Sequence, residues 1–177
     1  MYMPIFNHPS PTRNGFTLIE LLLYVSLVSV LLLSVSVFLA VMLAARVKNQ
    51  AVTEVEQQGQ QVVELIAQTV RNAENINSPV QGTSAATFSL DAAGALNDPT
   101  VFDISGTVLR VTEGSAIPVA LTSGRVIVSS LTFFNLTRAS TPGNVQFQFT
   151  LTHENLGARN EYDFSQTFIS SASLRQP

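Results

Sequence analysis

Few side chains in this sequence could do chemistry, and the one in the oddest place is Glu20. It opens a run, residues 21–45, that holds no Lys, Arg, Asp or Glu. A carboxylate at the edge of such a run is costly unless it stays near water or meets a cation. Elsewhere the candidates are scattered. His153 is the single histidine after His8 and stands beside Glu154, which is fewer ligands than a metal or an active site needs. It reads as a surface turn residue at a strand end. Asp98, Asp103 and Glu113 are too dispersed to spell a calcium loop. Gly94, Gly106, Gly114 and Gly124 are isolated and read as turns, and no Gly-rich phosphate loop ending in Lys-Ser/Thr is present. From residue 76 onward Arg110, Arg125, Arg138, Arg159 and Arg175 stand against seven acidic residues and no Lys, which argues against a nucleic-acid-binding face. Without cysteine there can be no disulfide and no thiolate metal site. No catalytic residue, metal or cofactor is expected, and the chain is not expected to be an enzyme.

The elements that must position Glu20 follow from hydropathy. A helix over the uncharged run of about 25 residues reaches about 37 Å, enough to cross a bilayer core of about 30 Å. Residues 18–45 are the expected transmembrane segment. A cleaved secretory signal has a shorter core with its small-residue cut site after it. Here Arg13 and Gly15 both precede the core. A plain anchor accounts for the length but not for Gly15 and Glu20. Arg13 on one side and Arg46 and Lys48 on the other leave orientation unassigned by charge. Ser26, Ser29, Ser34 and Ser36 interrupt the run; they either let helices approach closely or satisfy themselves within the helix.

From residue 46 to 74 the pattern turns amphipathic. Val62, Leu65, Ile66, Thr69, Val70 and Ala73 follow helical spacing, and Glu54, Glu56, Gln57, Gln60, Gln61 and Glu64 supply a wet face. Apart from a lone Gly59 nothing interrupts it. One helix is therefore expected over residues 16–76, roughly 60 residues and 90 Å long, closed by Asn75-Ile76-Asn77-Ser78-Pro79.

Strand signals fill the remainder. Residues 87–90 are short, and residues 101–104 and 107–111 flank Ser105-Gly106 as a hairpin. Residues 119–121 and 126–128 flank Ser123-Gly124, and residues 131–136 follow. Residues 145–152 alternate cleanly, odd positions apolar and even ones polar. They are expected to pair with residues 162–171, where Tyr162, Phe164 and Phe168 share a face. The expected fold class is α+β: a long N-terminal helix, transmembrane in its first half, packed on a C-terminal antiparallel β-sheet head. The domains are residues 1–15, the helix 16–76, and the head 77–177. Only 12% of residues are charged, about half the usual fraction, which suits an extracytoplasmic or closely packed setting.

The stretch Arg13-Asn14-Gly15-Phe16-Thr17-Leu18-Ile19-Glu20-Leu21-Leu22 closely resembles the N-terminal signal of type IV pilins and type II secretion pseudopilins. Beyond the helix the likeness is one of general architecture, nearest to the J-type minor pseudopilins. The resemblance implies that residues 1–15 are a cytoplasmic leader, that a prepilin peptidase cuts after Gly15, and that Phe16 becomes an N-methylated terminus. It implies that Glu20, five residues into the mature chain, recruits the Phe16 amine of a neighbouring subunit. Amine and carboxylate, each expensive alone in an apolar setting, neutralise one another there. Pairing across subunits would also fix the axial register of a filament.

Many major pilins carry a helix-breaking Pro about 22 residues into the mature chain. Here that place is Val37, and no Pro occurs between Phe16 and Ser78. This suits a minor subunit, while Glu20 argues against the tip pseudopilins that lack the acid. The implied function is that of a structural subunit of a pilus or secretion pseudopilus. The implied partners are other subunits, the prepilin peptidase, an inner-membrane assembly platform and the lipid bilayer. The implied location is a single-pass cell membrane protein, N-terminus cytoplasmic and head outside, and then the filament. The resemblance implies a prokaryotic setting, in which the match of Asn135-Leu136-Thr137 to a glycosylation sequon is a chance one. The alternative is a membrane-anchored extracytoplasmic binding module that does not polymerise.

Overall fold

A computed structural model describes residues 15–175. The expected leader residues before Gly15, with His8 and Arg13, lie outside the described residues. The chain divides into two compact units, one through Leu43 and one from Ala44 onward.

The first unit is the start of α1 (Leu18–Asn72), a 55-residue helix. Its Leu- and Ala-rich composition favours helix, and every backbone bond stays within the segment. The apolar side chains from Leu18 to Leu43 are exposed. It is the one helix among the described residues long and apolar enough to cross a membrane, by length and composition. The four serines satisfy themselves. Ser26, Ser29, Ser34 and Ser36 hydroxyls donate to the carbonyls of Leu23, Val25, Leu31 and Leu32 at 2.7–2.8 Å.

The second unit opens with the rest of α1. Its buried stripe is Ala51, Val55, Gly59, Val62, Ile66, Ala67 and Val70, longer at its N-terminal end than the apolar spacing suggests. Gln-rich flanks hide that extension. Leu65, expected on this face, is 38% exposed. The helix ends at Asn72, four residues before the expected Ile76. The following residues instead form β1 (Ala73–Ser78), whose backbone groups pair with β3 (Phe88–Ala92), Ile76 against Leu90. Asn72, Asn75 and Asn77 are weak helix formers, and the ladder gives their backbone better partners.

The head has two antiparallel sheets where one was expected. The first orders β1, β3, β4 (Thr100–Ser105), β5 (Val108–Glu113) and β6 (Val119–Ala120); the second orders β2 (Ser84–Ala85), β7 (Val126–Asn135), β8 (Asn144–His153) and β9 (Ser165–Ser173). The β4–β5 hairpin is present, with Ser105 opposite Val108 and Gly106 at φ 65° in the two-residue turn. Residues 119–120 and 126–128 do not form a hairpin: β6 pairs with β5, and β7 pairs with β8. Residues 126–128 and 131–136 look like two strands because burial switches phase between Val128 and Leu131. The ladder shifts between Ser129 and Thr132, and Ser130 adopts φ 56°, so a bulge switches the buried positions from even to odd while the strand keeps one face to the core.

β8 behaves as its alternation promises, with Val145, Phe147, Phe149 and Leu151 fully buried. It pairs with β9 in register Phe149–Phe168. β9 starts at Ser165, later than expected, because Tyr162 closes a short 3-10 turn, Asn160–Tyr162. One core joins α1 and both sheets. At its centre Phe88 from the first sheet stacks on Phe133 from the second, ring centroids 4.7 Å apart. Phe102 and Phe147 flank that pair at 6.3 Å each. Replacing Phe133 by Ala leaves both neighbours facing a void and is expected to cost about 3–5 kcal/mol. Denaturant unfolding of the full chain in detergent, followed by near-UV circular dichroism, measures it.

Candidate functional site

Gly15, Phe16 and Thr17 precede α1 outside any helix or strand and are exposed, Phe16 to 75%. Thr17 is the helix cap. Its Oγ1 accepts the backbone N–H of Glu20 at 3.3 Å, and its carbonyl accepts the N–H of Leu21 at 3.1 Å. Thr17-Leu18-Ile19-Glu20 thus has the spacing of a capping box. The Glu20 carboxylate sits in the first turn, where the helix dipole favours negative charge. One turn on, the Tyr24 hydroxyl donates to Glu20 Oε1 at 3.3 Å. The Tyr24 ring meets the Phe16 ring edge-on, centroids 6.2 Å apart at 78°. The expected site residues Gly15, Phe16 and Glu20 therefore stand together at the start of the apolar helix. Thr17 and Tyr24 join them. In the sequence Thr17 stands only as part of the quoted stretch and Tyr24 only as part of the apolar run, although Ser/Thr-x-x-Glu ahead of an apolar run signals a cap, and Tyr24 lies four residues beyond the acid.

Nothing matches this chain in comparisons with protein-family models, with curated proteins or with solved structures.

In the head, His153 departs from expectation. Its side chain is 11% exposed, not a surface turn. The ring stacks on Tyr162 at 5.3 Å. Nδ1 lies 2.9 Å from the Glu154 carbonyl oxygen, and Nε2 lies 3.7 Å from Glu54 Oε2 on α1. Arg125 Nη1 approaches the same carboxylate oxygen at 3.6 Å. These groups line a groove of about 1030 Å³. Ser123 Oγ there accepts from Gln58 Nε2 at 2.8 Å and does not meet His153, so the groove holds no Ser–His pair. Among the described residues no three His, Asp or Glu side chains gather as metal ligands. Asn135 of the sequon is buried, donating to the Pro79 carbonyl at 2.8 Å and accepting from Thr137 N–H at 3.1 Å. That side chain is closed to modification in the folded head.

Asp103 is no calcium ligand in waiting but is paired with Arg110. Arg110 donates to it from Nε at 2.6 Å and from Nη2 at 2.9 Å. Those bonds hold the Asp103 carboxyl below its ordinary range, against a smaller opposing effect of burial. A depressed carboxyl stabilises the fold above the unfolded value, and the stabilisation is lost as pH falls through the folded one. Asp103→Asn is therefore expected to lower head stability slightly at neutral pH and not at all at low pH. The effect is small because the pair is partly exposed. Melting curves of both proteins at neutral and acid pH check it; a difference that grows on acidification contradicts it.

Proposed function

We propose that this chain is a structural subunit, of the minor kind, of a type IV pilus or type II secretion pseudopilus. One observation carries the proposal: an exposed Gly15-Phe16 junction directly before a capped helix whose first-turn carboxylate, Glu20, opens an exposed apolar surface that holds no other acid through Leu43. A prepilin peptidase would cut after Gly15 and Phe16 would be N-methylated. The mature chain waits in the inner membrane as a single-pass protein, N-terminus cytoplasmic and head outside. The assembly platform then moves it into the filament, where the apolar helix surface exchanges lipid for neighbouring helices. Glu20 meets the Phe16 amine of the next subunit. The unbroken α1 supports the minor-subunit assignment. The head's role is packing and display rather than catalysis, without cofactor, metal or nucleic acid.

Shearing surface filaments, or pseudopili raised by overexpression, from cells that make this protein tests the proposal. The chain is expected in the filament fraction with its head folded. A chain confined to membranes while filaments form would leave an anchored module that does not polymerise.

A further inference from the structure

We propose that Tyr24 is a positioning residue for Glu20, holding one oxygen of its carboxylate so that the other is presented to a cation from a neighbouring subunit. The proposal rests on the assembly reading for what that cation is, a chain-terminal amine. Glu20 and Tyr24 lie one turn apart on the same face of α1, and the Phe16 ring, from just before the helix, meets the Tyr24 ring. Tyr24 Oη donates to Oε1, its ring braces the Phe16 ring, and Thr17 Oγ1 takes the Glu20 backbone N–H. Side chain and backbone of Glu20 thus each have one partner within the chain. No hydrogen bond from this chain reaches Oε2 in the described residues.

The physical need is specific to an apolar setting. A carboxylate facing hydrocarbon with neither oxygen bonded carries a large desolvation cost. A tyrosine hydroxyl offsets part of it without neutralising the charge, so the acid stays ready for an amine. A lysine in that place would end the attraction; a leucine would leave the acid free to turn toward the headgroups. Tyr24 also restricts the rotamers of Glu20, so less freedom is lost when the neighbour arrives.

Two measurements on the full chain test this. In lipid bilayers, with tyrosine labelled at the ring carbon bearing the hydroxyl, the magic-angle-spinning line of Tyr24 is the one missing in Tyr24→Phe. It is expected to move when Glu20 is replaced by Ala, whether or not the leader has been cut. An unmoved line overturns the proposal. In cells, Tyr24→Phe is expected to lower the chain recovered in filaments several-fold while membrane levels and head folding hold. Undiminished recovery also overturns it, since the hydroxyl then positions nothing that assembly uses. Absence of cleavage after Gly15 with the line still moving would instead sink the assembly reading and leave the Tyr24–Glu20 bond standing.

Discussion

Replacing Glu20 by Ala is expected to leave the chain in the membrane with a folded head, yet cut its recovery in filaments at least about tenfold. The reason lies in what the substitution strands. In the assembled state each subunit would bring a terminal amine into a sheath of apolar helices. Between Leu18 and Leu43 there is no acidic side chain other than Glu20 to meet that amine. Removing one member of a buried pair costs about 3–5 kcal/mol, most of it the penalty of the partner left behind. Glu20→Gln keeps an acceptor but loses the charge and is expected to fall between Ala and the native chain. Filament recovery is measured by shearing and quantitative blotting, with total membrane protein as the control. Native recovery with Ala at residue 20 contradicts the assigned role of the acid.

The second large effect is in the head. Gly59→Val is expected to destabilise it by about 1–3 kcal/mol or more. Gly59 is the one glycine within α1, and a Cβ placed on it would overlap the ring of Phe168. That ring cannot swing away, since it is 7% exposed and stacks on Phe149 at 5.3 Å. A helical glycine ordinarily costs about 1 kcal/mol relative to Ala, so its presence here marks a close approach of helix to sheet. Phe168→Leu should recover part of the loss in the Gly59→Val background, although alone it destabilises. Thermal unfolding of the four proteins in mild detergent completes the cycle. Additive losses would show that the two residues do not share the space.

How much of this was legible in the sequence depends on how local the cause is. The apolar run, the capped start with Glu20 and the alternation of β8 are patterns within one element, and the α+β layout followed from them. The end of α1 was misplaced because β3 decides it: residues 73–78 have a strand partner fifteen or so positions away that spacing alone cannot show. The β7 bulge looks like a gap between two strands in the sequence, because a phase change of burial resembles a chain break until Ser130 is seen at positive φ. The division into two sheets is set by strand pairing, and the Phe88–Phe133 stack that joins them is a contact between segments whose alternation says only that each has a buried face. At the site, Gly15, Phe16 and Glu20 were visible by type and spacing. Tyr24 was hidden within an apolar run, where an aromatic residue passes for one more lipid-facing side chain. Gly59 was noticed as an interruption, and only the Phe168 ring explains it.

The most direct measurement is the intact mass and N-terminal sequence of the protein taken from native membranes. A chain that begins at Phe16 and carries one methyl group on its amine is the predicted result. A chain that still begins at Met1, in cells whose prepilin peptidase is active on other substrates, would contradict the account.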